Sequence, residues 1–131
     1  MIKGSCHCSA VGWSFEGAPE SATACNCTVC RRYGVLWAYD YEDERIRVWG
    51  PTKVYAWGSR TIGFHFCADC GCIAYWRALN PREDGRRRIA VNLRLALNAE
   101  DVAAIPVRHF DGFESWKDVA RDARTVADLW F

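Results

Sequence analysis

Eight cysteines, gathered in three short groups, constrain this sequence more than any other feature. The groups are Cys6 and Cys8, then Cys25, Cys27 and Cys30, then Cys67, Cys70 and Cys72. Thiols crowded this closely contribute little to folding by themselves, whereas thiolates are preferred ligands of zinc. The spacing therefore predicts that the three groups assemble around two metal ions, and that the central group is the reactive one.

The cellular compartment decides between metal ligands and disulfides for cysteines at such spacings. Residues 1–6 contain no apolar h-region and no cleavage site of a signal peptide. No run of apolar residues approaches the roughly 20 needed to span a bilayer. We therefore expect a cytoplasmic protein whose thiols stay reduced, with the clustered cysteines acting as metal ligands.

Length and charge limit the organisation and the partners of the chain. With 131 residues and no internal repeat, linker or low-complexity tract, the sequence predicts one domain over residues 1–131 with a true core. The formal net charge of +1 gives no electrostatic argument for a nucleic-acid or membrane partner. We expect neither partner.

Short segments rich in aromatic and β-branched residues predict a mainly β fold. Val11, Trp13 and Phe15 alternate with small or polar residues, and Gly50-Pro51 marks a turn between two later segments. The sequence indicates mainly antiparallel sheets, with each cysteine group in a loop or turn at the edge of strands. The predicted strands cover residues 11–16, 34–41, 46–49, 54–57, 61–66, 73–76 and 89–93.

The last third of the sequence has a helical pattern. Residues 98–104 predict a short capped helix that ends before Pro106. Ser115 can cap a longer, amphipathic C-terminal helix. Its apolar stripe would pack on the sheet or on a second copy of the chain, giving a homo-oligomer. The apolar residues at steps of three and four are Trp116, Val119, Ala120, Ala123, Val126, Ala127 and Trp130.

Four of the cysteines suffice for a closed structural zinc site. A tetrahedral site needs four ligands, and the simplest division joins Cys6 and Cys8 with Cys67 and Cys70. Gly71 follows directly, as expected where a turn needs a residue of positive φ so that N–H groups point at sulfur. A closed site of this kind stabilises the fold and does no chemistry.

Cys25, Cys27 and Cys30 then remain as three ligands from one loop. Three protein ligands and an open fourth position are typical of catalytic zinc. Alternatively, Cys72 fills the fourth position, and the protein is a non-catalytic, zinc-stabilised binding module. The spacing leaves both arrangements open, because the direction of the Cys72 side chain after Gly71 is undetermined.

Three motifs resemble one known family in their order, spacing and flanking residues. They are GSCHCSAV at residues 4–11, CNCTVCR at residues 25–31 and FCADCG at residues 66–71. Over roughly its first hundred residues the sequence is similar to the glutathione-dependent formaldehyde-activating enzymes. The segment from Phe113 onward departs from the family pattern, and a pocket shaped by it would accept a substrate other than the family's namesake.

The resemblance implies a fold, a metal content and a reaction. The fold is a β-tent, a zinc-pinned set of coiled antiparallel sheets. The reaction combines glutathione, or a related thiol, with an aldehyde such as formaldehyde, and its reverse is that of a carbon–sulfur lyase. The resemblance assigns a structural zinc to Cys6, Cys8, Cys67 and Cys70, and a catalytic zinc to Cys25, Cys27 and Cys30.

Two arginines and two tryptophans complete the candidate site. Arg31 and Arg32 follow Cys30 and could support an anionic site or bind a substrate carboxylate. For Arg32, a solvated surface position is the simpler interpretation. Trp37 and Trp57 are candidates to line a pocket, within a set of tryptophans that otherwise belongs to the core.

Overall fold

Strands dominate the chain, which confirms the predicted mainly β class. The computed structural model describes residues 1–130, so Phe131, the last residue of the predicted domain, lies outside the described part. No helix in residues 1–130 has both the length and the apolar character needed to cross a membrane. The strands are β1 (Ile2–Ser5), β2 (Gly12–Phe15), β3 (Ala22–Cys25), β4 (Trp37–Tyr41), β5 (Ile46–Trp49), β6 (Thr52–Tyr55), β7 (Ile62–Cys67), β8 (Ile73–Ala78), β9 (Arg88–Asn92), β10 (Val107–Asp111) and β11 (Lys117–Asp118).

Helical structure is limited to short pieces in the part of the chain that the structure describes. The first α-helix, α1 (Cys30–Tyr33), is one turn long, and the second, α2 (Glu100–Ala103), lies inside the segment predicted as a short helix. The N-cap of α2 is Ala99, without a side-chain cap, and Asn98 before it accepts a hydrogen bond from the N–H of Glu100 at 3.3 Å. The 3₁₀ turns cover Leu93–Leu95 and Val126–Leu129.

The strands of residues 1–130 form two sheets. The small sheet has the order β1-β2-β5, and the large sheet has the order β11-β10-β3-β4-β9-β8-β7-β6. The seven predicted strands correspond to β2 and to β4 through β9. Neighbouring strands run antiparallel, as predicted, except β3 and β10, which pair in parallel. This pairing brings the C-terminal part of the chain beside the strand that leads into Cys25.

Large apolar side chains fill the space between the two sheets. Trp13 and Phe15 of β2 belong to the same buried cluster as Ile89 and Val91 of β9, and all four side chains are fully buried. Burying side chains of this size stabilises the folded state by roughly 1.5–3 kcal/mol each. The Trp13 ring leaves no room for a side chain on the neighbouring strand, since a Cβ at Gly4 would lie 2.2 Å from it.

Asn92, buried at the end of β9, connects three segments of the fold. Its side-chain oxygen accepts hydrogen bonds from the N–H groups of Leu36 (3.3 Å) and Arg94 (3.2 Å). Its side-chain nitrogen donates to the carbonyl oxygen of Ile73 at 3.0 Å. These bonds provide partners for backbone groups that lie where strands begin and end.

Asn92→Ala is expected to lower the free energy of unfolding by about 2 to 4 kcal/mol, because buried backbone groups lose their partners. Urea denaturation followed by tryptophan fluorescence measures the loss. Asn98→Ala is the matched control, since the hydrogen bonds of Asn98 are exposed, and it should cost at most about 1 kcal/mol. Equal losses for the two variants would contradict the structural role of Asn92.

The predicted amphipathic C-terminal helix is reduced to one 3₁₀ turn within residues 115–130. That turn covers Val126–Leu129. Trp116 and Ala123 have φ values of 55° and 65°, which a right-handed helix excludes. The long helix of the sequence prediction is therefore wrong, and the suggested self-association through it loses its basis.

Pairing with the large sheet explains why the C-terminal segment is not a long helix. Lys117–Asp118 form β11 along β10, and the N–H of Val119 donates to the carbonyl oxygen of His109 at 2.9 Å. Val126 is fully buried in a turn that packs on α2, whereas Val119 is 54% exposed. The apolar spacing of three and four thus reflects separate contacts and not one continuous helical face.

Candidate metal centres and their pocket

Four cysteines from distant parts of the chain converge where the small and large sheets meet. Cys6 and Cys8 lie in the turn after β1, Cys67 ends β7, and Cys70 lies in the turn that leads to β8. Their Sγ atoms all lie within 4.8 Å of one another. The Sγ–Sγ distance is 3.6 Å between Cys6 and Cys8 and 3.5 Å between Cys8 and Cys67. We call these residues the four-cysteine cluster.

The donor set of the four-cysteine cluster fits zinc. Four thiolates at about 2.3 Å from Zn²⁺ in a tetrahedron lie about 3.8 Å from one another, close to the separations in the cluster. The cysteines of the described chain are all free thiols, so no disulfide competes for them there. The N–H of Val11 donates to the Sγ of Cys6 at 3.2 Å, which disperses the charge of a thiolate.

The turn between Cys67 and Cys70 has the geometry that the sequence predicts. Gly71 has a φ of 75°, which confirms the expected positive value, and its N–H donates to the carbonyl oxygen of Cys67 at 2.9 Å. Hydrogen bonds from the backbone of Cys72 and Cys8 lower the pKa of Cys70 to about 5. A thiol that ionises this readily is prepared for metal binding.

Cys25, Cys27 and Cys30, here the triplet, lie together between β3 and α1. Cys25 ends the strand and Cys30 begins the one-turn helix. The N–H of Cys27 donates to the Sγ of Cys25 at 3.5 Å, and the N–H of Cys30 donates to the Sγ of Cys27 at 3.3 Å. The loop thus directs three Sγ atoms to one place, all within 4.8 Å of one another.

Hydrogen bonds from a tryptophan and within the triplet change the pKa values of two of its thiols. The indole N–H of Trp37 on β4 donates to the Sγ of Cys30 at 3.3 Å. Hydrogen bonding between Cys25 and Cys30 lowers the pKa of Cys25 to about 6 and raises the pKa of Cys30. Cys25 therefore ionises before Cys30. The sequence suggested Trp37 as a pocket residue and gave no sign of this bond.

Cys72 lies beside the four-cysteine cluster and not beside the triplet. Like Cys70, it packs against the buried core that contains Cys6 and Cys67. The triplet belongs instead to a second buried cluster with Trp37. Among the described residues, no further Cys, His, Asp or Glu adds a ligand atom to the triplet. The geometry therefore gives no support to Cys72 as its fourth ligand.

The loop after β10 closes over the triplet. Gly112 approaches so closely that a Cβ there would lie 2.7 Å from the Sγ of Cys25. Asn26, inside the triplet loop, donates to the carboxylate of Asp111 (3.1 Å) and accepts from the N–H of Phe113 (3.0 Å). The sequence analysis missed these residues, although the pair Asp111-Gly112 is a turn signal. The parallel pairing of β3 and β10 brings the two segments together.

A cavity of about 500 Å³ opens beside the triplet, and all three of its cysteines line the wall. Trp37 and Trp57, the predicted pocket tryptophans, both belong to it. No Lys, Arg, Asp or Glu of residues 1–130 is among the lining residues, so the wall is largely apolar. We call this cavity the aromatic pocket. Its rings are those of Trp37, Tyr39, Phe64, Trp76, Trp57, Phe110 and Trp116, of which only Trp57 and Trp116 are exposed.

A second, more open groove also borders the triplet, and we call it the polar groove because charged side chains are part of its lining. Its lining includes Cys25, Asn26, Arg31, His109 and Asp122. Within residues 1–130 Arg31 forms no ion pair. Arg32, by contrast, donates to the carbonyl oxygen of Thr28 at 2.7 Å on the exposed side of the loop. Of the two predicted arginines, Arg31 is therefore the one that lies at the candidate site.

The fold and these two cysteine groups define a mainly β protein with two clusters suited to a metal ion. The chain belongs to the glutathione-dependent formaldehyde-activating enzyme family, whose model matches residues 1–110. This match confirms the resemblance that the three cysteine motifs indicate. The family is one of enzymes, and its name describes activation of formaldehyde that depends on glutathione.

A solved structure has a similar fold. It is the crystal structure of a Rhodobacter sphaeroides protein that is 28% identical in sequence, with a TM-score of 0.60. The similarity covers 80% of this chain and 98% of that chain. No curated protein sequence matches this chain. Gly112 and Trp116, which help to form the candidate site, lie beyond the last residue of the family match.

Proposed function

We propose that the protein is a zinc-dependent carbon–sulfur lyase that forms or cleaves the adduct of an aldehyde, such as formaldehyde, with glutathione or a related thiol. The observation that carries the proposal is the position of the triplet. Its three thiols converge on the wall of the aromatic pocket, while Cys72 lies at the other cluster. Three ligands beside a cavity leave room for a substrate at the fourth position.

The proposed reaction is the addition of a thiol to an aldehyde. The sulfur attacks the carbonyl carbon, a carbon–sulfur bond forms, and the π electrons of the carbonyl group move to oxygen. The proton lost by the thiol ends on that oxygen, which completes a hemithioacetal. Cleavage reverses each of these changes. A zinc ion supplies Lewis-acid stabilisation of the thiolate and of the developing oxyanion.

In this scheme the residues of the chain bind and orient the metal ion and the substrates. The triplet holds the metal, and the indole N–H of Trp37 fixes the position of Cys30 and disperses its charge. Arg31 offers a positive charge to a carboxylate of glutathione from the polar groove. The surrounding rings exclude water from the reacting atoms and strengthen local electrostatic interactions.

The four-cysteine cluster is assigned a structural zinc ion. Cys6 and Cys67 are each about 1% exposed, so a substrate has little access to their sulfur atoms. The cluster joins the turn after β1 in the small sheet to the turn after β7 in the large sheet. A metal at this place stabilises the contact between the sheets and takes no part in the reaction.

Exchange spectroscopy tests the proposed activity directly. Formaldehyde labelled with ¹³C is mixed with glutathione, and NMR measures the rate at which the label passes between the aldehyde hydrate and the thiol adduct. The zinc-loaded protein is expected to accelerate this exchange at least about a hundredfold, since metal-assisted stabilisation contributes several kcal/mol. An exchange rate equal to that in buffer would show that formaldehyde and glutathione are not the substrates.

Arg31→Ala is expected to raise the KM for glutathione about five- to tenfold, because one charge-assisted hydrogen bond to a carboxylate is lost. The value of kcat should stay within about twofold, since the guanidinium acts on substrate binding. Steady-state kinetics with glutathione and with 2-mercaptoethanol separate these effects, because 2-mercaptoethanol has no carboxylate.

Arg32→Ala is the matched control for this prediction. Its guanidinium contacts a carbonyl oxygen of its own loop, so the KM for glutathione should not change. A KM that rises equally with 2-mercaptoethanol, or equally in the two variants, would assign the effect to the loop and not to a carboxylate contact.

The same site argues against the non-catalytic alternative, in which Cys72 closes a second site and the protein is a binding module. That arrangement requires the Cys72 thiol beside the triplet, whereas Cys72 packs against the core that contains Cys6 and Cys67. Seven reduced cysteines used as metal ligands favour a reducing compartment. We accordingly propose that the protein is cytoplasmic and that residues 1–131 form a single domain.

A further inference from the structure

The aromatic pocket is much larger than formaldehyde requires. Its volume is about 500 Å³, whereas a molecule of two heavy atoms needs space comparable to one or two water molecules of about 30 Å³ each. Cavities of a few hundred Å³ with apolar walls are typical of sites for larger organic groups. The triplet therefore lies beside space that the namesake substrate leaves empty.

The walls of the pocket also do not suit the peptide part of glutathione. That tripeptide carries two carboxylates and an ammonium group, and burial of a charge without a partner is costly. No Lys, Arg, Asp or Glu of the described chain lines the pocket. The polar groove that contains Arg31 and Asn26 borders the same Cys25. The two cavities thus differ in chemistry, and each borders the triplet.

A hydrogen-bonded turn places an exposed aromatic ring at the pocket. The carboxylate of Asp111 accepts hydrogen bonds from the N–H groups of Glu114 and Ser115 at 3.1 and 3.0 Å. The N–H of Trp116 donates to the carbonyl oxygen of Asp111 at 2.8 Å, and its ring meets that of Phe110 edge to face at 6.1 Å. Trp116 lies outside the family match over residues 1–110. The pocket is therefore shaped in part by a residue beyond the range of the family match.

We propose that the aromatic pocket binds the organic group of an aromatic aldehyde, so that the preferred substrate is the glutathione adduct of an arylaldehyde and not that of formaldehyde. This inference rests on the proposed function. The bond changes are the same: sulfur bonds to the carbonyl carbon, the π electrons move to oxygen, and the thiol proton ends there. The aryl ring on that carbon lies among the indole and phenyl rings, and the peptide lies in the polar groove.

Stable thioethers test the inference by binding alone. S-benzylglutathione carries a phenyl ring one carbon from sulfur, as the benzaldehyde adduct does, and S-methylglutathione lacks only that ring. Calorimetry on the zinc-loaded protein is expected to give at least tenfold tighter binding of the benzyl compound, as burial of a phenyl ring implies. Equal affinities would overturn the inference.

Tryptophan variants locate the binding. Trp116→Ala is expected to reduce the affinity for S-benzylglutathione at least fivefold and to leave that for S-methylglutathione unchanged. The control is Trp49→Ala, which removes a similarly exposed tryptophan (47% against 65%) from a strand of the other sheet. If the control reduces the benzyl preference as much, the ring does not bind in the aromatic pocket and the inference fails.

Rate measurements separate this inference from the proposed function. Exchange NMR is run with glutathione and benzaldehyde, with glutathione and formaldehyde, and with benzyl mercaptan and formaldehyde. A larger acceleration for benzaldehyde supports the inference, while acceleration confined to formaldehyde with glutathione overturns it and leaves the function intact. Acceleration only with benzyl mercaptan would place the ring on the thiol and overturn the inference. Tight benzyl binding with no acceleration of any pair would keep the pocket assignment and reject the function.

Discussion

Cys67→Ser is expected to prevent folding at room temperature. The hydroxyl group of serine stays protonated and is a poor zinc ligand, so the four-cysteine cluster loses its closed site. A structural zinc ion contributes about 10–16 kcal/mol in small zinc domains, while a whole domain is stable by only about 5–15 kcal/mol. Cys67 is also buried at the point where β7 of the large sheet meets the turn of the small sheet. Circular dichroism should show no cooperative thermal transition.

Cys72→Ser is the matched control for this experiment. Cys72 lies two residues beyond Cys70 in the same turn, and it is outside the four Sγ atoms that converge. Its replacement should leave the melting temperature within a few degrees and should leave both zinc ions bound. A cooperative transition of wild-type character in Cys67→Ser, with two zinc ions per chain, would show that the cluster holds no structural metal.

The cysteine groups and the longer strands could be predicted because their signals are local. The sequence distance between Cys67 and Cys70, and the glycine of positive φ after them, are properties of one turn. The aromatic residues of β4 and β7 are likewise a local signal, since aromatic side chains are enriched in strands. The predicted mainly β class therefore needed no knowledge of the tertiary contacts.

The strands that the sequence analysis missed owe their structure to their neighbours. The centre of β1 is Gly4, which lacks a side chain because the Trp13 ring occupies that space. Two of the four residues of β3, Ala22–Cys25, are Ala, and the strand is stabilised by pairing with β4 and β10. Small residues have weak strand preference, so only the partner strands determine these elements.

The C-terminal segment shows the opposite error. Its apolar residues have the spacing of a helix, but the structure has no long helix there. Val126 is buried against α2 and Trp116 borders the aromatic pocket, and the positive φ values of Trp116 and Ala123 prevent one helix from joining these contacts. An apolar spacing of three and four records which side chains are buried, and it does not record which element buries them. The aromatic pocket was unpredictable for the same reason, since its rings come from four strands and two loops.

The location of Cys72 is the part of the site that required the structure. Spacing permits Cys72 to belong to either cluster, because a single residue separates it from Cys70. In the folded chain Cys72 packs, together with Cys70, against the core that contains Cys6. The assignment of a reactive role to the triplet depends on this contact. The zinc content and activity of the variant Cys27→Ser test that assignment.

Cys27→Ser is expected to abolish catalysis while the protein stays folded. The variant should bind one zinc ion per chain where the wild type binds two, because the triplet is left with two thiols. The exchange rate of the adduct should fall at least a hundredfold, since the metal-assisted stabilisation of the transition state is lost. The melting temperature should fall by less than about 10 °C, because the four-cysteine cluster remains complete. Elemental analysis, exchange NMR and calorimetry on the same sample measure the three quantities.

Thr28→Ala is the control, since Thr28 is exposed and follows Cys27 in the same loop. It should keep two zinc ions and an exchange rate within about twofold of the wild type, because its side chain is not a ligand. The two cysteine variants then form a pair: Cys67→Ser removes the fold, and Cys27→Ser removes only the reaction. If Cys27→Ser instead loses both zinc ions and unfolds, the triplet is a second structural site, and the proposed catalysis must be rejected together with the open fourth position on which it depends.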